Sequence, residues 1–104
     1  MEVKIQYKGK DEVVKLRKLK WGENNDCVRK ATSVVKGVTE LDQVTLHEQR
    51  LLKSIETAPF NKTIEGIRDL EQGVGDLLFN KMQEFNAVSE EQTKNLETPS
   101  SEES

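Results

Sequence analysis

The sequence predicts a small α+β domain: an N-terminal β-hairpin packed on about four short α-helices, followed by a disordered acidic C-terminal tail. Three observations carry this. Apolar residues alternate with polar ones on either side of Lys8-Gly9. From Glu23 onward the apolar spacing turns helical, in segments parted by Gly and Pro. After Val88 apolar residues all but stop. The folded domain is therefore placed at residues 1–88 and the tail at 89–104.

Val3, Ile5 and Tyr7 alternate with Lys4 and Gln6, the period of a half-buried strand. Lys8-Gly9-Lys10-Asp11 supplies turn chemistry, and Val14 and Leu16 alternate with Lys15 and Arg17 in a second strand. Such a hairpin is marginal alone, so its apolar face must rest on helices.

A first helix is expected over about Glu23–Val35, with Cys27, Val28, Ala31, Val34 and Val35 as its apolar stripe. Glu23 and Asp26 in its first turn and Arg29 and Lys30 later suit the helix dipole. Gly37 reads as its left-handed C-terminal cap. A second helix starts between Leu41 and Leu46 and runs to about Thr57, where Pro59 stops it. Thr45 to Glu48 fits a capping box, yet Leu41 and Val44 extend the apolar spacing, so two starts remain open. Asn61 or Thr63 can cap a third helix carrying Ile64, Ile67 and Leu70. Gln72-Gly73-Val74-Gly75 reads as a hinge, and a fourth helix aligns Val74, Leu77, Leu78, Met82 and Phe85. The tail reads SEEQTKNLETPSSEES, too poor in apolar residues to offset its ordering entropy.

Only 34% of the chain is apolar and 34% is charged, so the core is small and burial is expected to be completed by oligomerisation or a partner. The net charge of −3 hides an asymmetry. Ten Lys or Arg face five Asp or Glu over residues 1–36, whereas one Lys faces five Glu over 89–104. No run approaches the ~18 apolar residues of a membrane helix. The charged N-terminus is unlike a signal peptide, and the single Cys27 suits a reducing compartment. The expected location is the cytoplasm.

Catalytic chemistry finds little support. His47 is the one histidine and is expected on the polar side of the second helix, solvated rather than basic in function. Cys27 on an apolar face reads as core. Metal ligation lacks a His/Cys set or an Asp ladder. Gly73-Val74-Gly75 is half a dinucleotide fingerprint and comes after a helix rather than a strand. The reading is non-enzymatic, with no cofactor.

Two interaction surfaces stand out. Lys15, Arg17, Lys18 and Lys20 ending at Trp21 would suit a nucleic-acid backbone with a stacking platform. Against it stand a pI near 5.3 and only five aromatic residues. Trp21 is instead expected to pack inward between the hairpin and the helices. Leu77, Leu78, Met82 and Phe85 have the anchor spacing of a helix that shares its face with a partner.

Three segments carry a family likeness: LRKLKWGENNDCVRKAT (residues 16–32), LLKSIETAPFNKTIEGIRDL (51–70) and GDLLFNKMQEFN (75–86). Over about residues 3–95 the chain resembles the small tail assembly chaperones of long-tailed phages and prophage elements. The resemblance implies a non-enzymatic, self-associating protein that coats the tape-measure protein and recruits tail-tube subunits. It transfers no binding residue, because its motifs are helix-and-corner patterns. The departure is Gly73-Val74-Gly75, where relatives often carry a proline-containing helix start. The family also often makes a longer product by a backward ribosomal slip, and Thr93-Lys94-Asn95 suits such a site if its codons supply the adenine run. A nucleic-acid-binding or regulatory module and a structural tail subunit are the alternative readings.

Overall fold

The computed structural model describes residues 1–87. The tail, with Thr93-Lys94-Asn95, lies outside them. The chain forms an α+β fold as expected, with nine elements among the described residues. They are β1 (Glu2–Tyr7), β2 (Lys10–Leu16), α1 (Trp21–Ala31), β3 (Thr32–Val35), β4 (Val38–Leu41), α2 (Gln43–Ser54), β5 (Ile55–Thr57), α3 (Ile64–Arg68) and α4 (Gln72–Asn86).

β1 and β2 pair antiparallel in register Val3↔Val14 and Ile5↔Glu12, turning at Lys8 and Gly9 with φ of 51° and 77°. Two consecutive positive φ values give the turn whose twist matches that of the strands. Val3, Ile5, Val14 and Leu16 are buried on one face. Against it pack Leu51 of α2, Ile55, Phe60, Ile67 of α3, and Leu78 and Met82 of α4. The N-terminus closes on the same strand. Leu16 N–H donates to the Met1 carbonyl at 2.7 Å, and the Met1 ammonium donates to the Leu16 carbonyl at 3.0 Å.

Several expectations are corrected. The first helix ends at Ala31, four residues before Val35. The β-branched residues of Thr32–Val35 favour a strand, and Val38–Leu41 pairs with it. Gly37 is thus a hairpin-turn residue and not a helix cap: Lys36 and Gly37 have φ of 53° and 78°. α2 starts at Gln43 because Asp42 caps it, accepting from Val44 N–H at 3.0 Å and Thr45 N–H at 3.2 Å. It ends at Ser54, ahead of Pro59, because Ile55–Thr57 joins the sheet beside β2 as its third strand. Arg17 N–H donates to the Ser54 carbonyl at 2.8 Å and locks that junction. Thr63 does cap α3, its hydroxyl accepting from Gly66 N–H at 3.0 Å. Gly73-Val74-Gly75 is no hinge. It lies within α4, after Glu71 as the N-terminal boundary residue.

Glu23 ties the end of β2 to α1. Its carboxylate accepts two guanidinium hydrogen bonds from Arg17, at 3.0 and 2.7 Å, and one from Lys20 N–H at 2.8 Å. The Arg17 bonds, then the Lys20 N–H, hold its pKa down at about 2, from an ordinary 4.5. A carboxylate with a depressed folded-state pKa stabilises fully above its unfolded pKa and loses that contribution as pH falls through the folded value. Stability from this pair is therefore expected to decline between about pH 4.5 and pH 2. Thermal midpoints across that window should fall less steeply for Glu23→Gln than for the parent; parallel curves would contradict the linkage.

Candidate protein-interaction surface

The most exposed apolar structure is the β3–β4 arm, and its local chemistry explains why it stands apart. A two-residue Lys36-Gly37 turn joins strands of four residues in register Thr32↔Leu41 and Val35↔Val38. Its base is held by both neighbouring helices. Asp42 N–H donates to the Ala31 carbonyl at 2.9 Å, and the Thr32 hydroxyl donates to the Val28 carbonyl at 2.6 Å. Beyond that base the arm belongs to no larger sheet among the described residues, since β3 and β4 pair only with each other.

Val35 and Val38 oppose one another and share one face. Val34 and Leu41 lie on the other. Val34 is 69% exposed and Val38 60%, and Val44 beside the base is also exposed. β3 carries no charged side chain, and both outer edges of the arm leave backbone groups without strand partners among the described residues. Protein edges are ordinarily protected by charge, proline or a covering element. An uncharged edge with apolar residues on both faces is suited to adding a strand or covering a helix from another chain.

The other sequence-based candidates are differently placed. Leu78 and Met82 are fully buried against the molecule's own sheet, so they are not available to a partner in this fold. Phe85 is half-buried with the Lys18 ammonium 5.4 Å from its ring centre. Leu77 remains exposed, on the rim of a shallow groove of about 560 Å³. The groove runs between α4 and Lys4, Gln6 and Val13 of the hairpin. The expected shared face of the fourth helix is thus largely internal.

The basic strip is also divided. Arg17 is committed to Glu23 through both terminal nitrogens, and Lys15 lies 3.9 Å from Glu56. Lys18, Lys20 and Trp21 stay on the surface. Trp21 is 84% exposed, overturning its expected inward packing. The reason is phase. Trp21 is six residues before Cys27, which places it about 120° around the helix from the buried Cys27. Trp21→Ala is accordingly expected to change unfolding stability by no more than about 0.5 kcal/mol in urea titration. A loss of several kcal/mol would place the indole in the core after all.

His47 packs against Phe79, ring centres 4.6 Å apart. Cys27 is fully buried between α1 and α2, and burial raises its pKa. Among the described residues no group of three or more His, Cys, Asp or Glu side chains is placed to hold a metal, and no helix is long and apolar enough to cross a membrane. Comparison with protein-family models, curated proteins and solved structures gives no match.

The β3–β4 arm was hidden in the sequence because Val34 and Val35 continue the helical spacing of Val28 and Ala31. The signal that could have revealed it is the pair of short β-branched runs flanking Lys36-Gly37.

Proposed function

We propose that this protein is a non-enzymatic tail assembly chaperone of a phage or prophage, and that the β3–β4 arm is its contact to client proteins. The observation that carries the reading is the arm itself, which presents Val34, Val35, Val38 and Leu41 to solvent on a ribbon that, among the described residues, is held at its base. A two-stranded ribbon is marginal in water, and a client that adds a strand or lays an apolar helix on it removes both the open edge and the exposed valines. The small core supports the same reading, because a chain with little internal apolar surface gains by associating. The resemblance over residues 3–95 supplies the class of client: the tape-measure protein as the coated chain, and the tail-tube protein as the subunit recruited to it. Self-association belongs to the same proposal.

Co-expression with the tape-measure protein of the same element tests this. The chain should keep the tape-measure protein soluble and co-purify with it, and should be missing from finished particles. Retention in finished tails would support a structural subunit instead, and salt-sensitive retention on DNA a nucleic-acid module.

A further inference from the structure

The last described residues end beside the basic strip, and the sixteen residues from 89 to 104 are strongly acidic. The Asn86 side-chain oxygen accepts from Leu19 N–H at 2.7 Å, and Phe85 lies under the Lys18 ammonium. The chain therefore leaves the end of α4 next to Lys18, Lys20 and Trp21. Arg17 and Lys15 face acidic partners, whereas no carboxylate among the described residues lies in ion-pair contact with Lys18 or Lys20. Trp21 adds the largest exposed apolar side chain at the same place. Beyond Ser89 the chain carries five glutamates, one lysine and a single apolar residue, Leu96.

We propose that the acidic segment 89–104 seats on the Lys18–Lys20–Trp21 surface of its own chain. Charge complementarity and the point of departure select this occupant. Leu96 stands nine residues beyond Ala87, a reach of up to about 30 Å, enough to bring Glu90, Glu91 and Leu96 over the strip. A short tether of this kind holds its ligand at an effective concentration on the order of millimolar, so weak contacts suffice. The glutamates neutralise Lys18 and Lys20, and the indole gains apolar cover, as tryptophan does at interfaces. The segment then acts as a tethered competitor that any acidic partner approaching Trp21 must displace. This inference stands independently of which client the β3–β4 arm takes.

Trp21 is the sole tryptophan, so its fluorescence reports this surface alone. Acrylamide quenching is measured on the full chain and on a variant with Glu90, Glu91, Glu97, Glu102 and Glu103 all changed to Gln, with circular dichroism confirming the fold of both. In the parent, quenching should increase about twofold between about 0.02 and about 0.5 M NaCl, as screening releases the segment. The variant should be quenched at the higher level throughout. Equal quenching of the two proteins at low salt overturns the proposal. So does protection that survives the substitutions. Protection that grows with protein concentration also overturns it, assigning the cover to a second copy.

Discussion

Leu78→Ala is expected to destabilise the fold by about 3–5 kcal/mol, enough to unfold much of a domain this small. Leu78 is fully buried with Met82 beneath the face formed by Val3, Ile5, Val14 and Leu16. No side-chain hydrogen bond caps the N-terminus of α4, so its position depends on this apolar stripe. Truncation removes the transfer free energy of the lost side-chain carbons and leaves a cavity that sheet and helix can only partly close. Urea unfolding followed by circular dichroism should show a lower midpoint with an unchanged slope. A change below about 1 kcal/mol would mean that α4 is held some other way.

Gly66→Ala is expected to cost about 2–3 kcal/mol through overpacking. A Cβ at Gly66 would run into the backbone carbonyl oxygen of Asn61, which also accepts from Thr63 N–H at 2.9 Å. Both groups belong to the corner that brings Phe60 and Ile67 into the core, so neither is free to give way. Gly75 provides the control. It is helical, with open space where a Cβ would stand, and Gly75→Ala should raise stability by about 0.5 kcal/mol. Opposite shifts in thermal midpoint are the expected result. Equal shifts would mean that the close approach at Asn61 relaxes freely.

These sites also mark how far the sequence could be read. β1 and β2 were legible because alternation and turn chemistry agree over Val3–Leu16. The same Lys-Gly turn recurs at Lys36-Gly37, but there it comes after a helical run, and a left-handed glycine serves a helix end as well as a hairpin. β5 spans only Ile55–Thr57, too few residues for any period to show. Its existence depends on pairing with β2, a contact that lies about forty residues away in sequence. Of the expected face Val74, Leu77, Leu78, Met82 and Phe85, the fold turns Leu78, Met82 and Phe85 inward and leaves Leu77 exposed. Spacing cannot say whether such a face meets the molecule's own sheet or another chain, and all three side chains are internal or half-covered within this fold. The Arg17–Glu23 pair crosses a strand-to-helix junction, where no periodicity applies.

The most direct test of the proposal that the arm contacts clients is the affinity of the chain for helical segments of a tape-measure protein, the proposed client, with and without Val35→Asp and Val38→Asp together. Both side chains are exposed and oppose each other on one face of the arm, outside the core formed by the β1–β2–β5 sheet and α4. The double variant should keep the parent's thermal midpoint within a few degrees and bind at least about tenfold more weakly, a loss of roughly 1.4 kcal/mol. Undiminished binding by a folded double variant would contradict the arm's role.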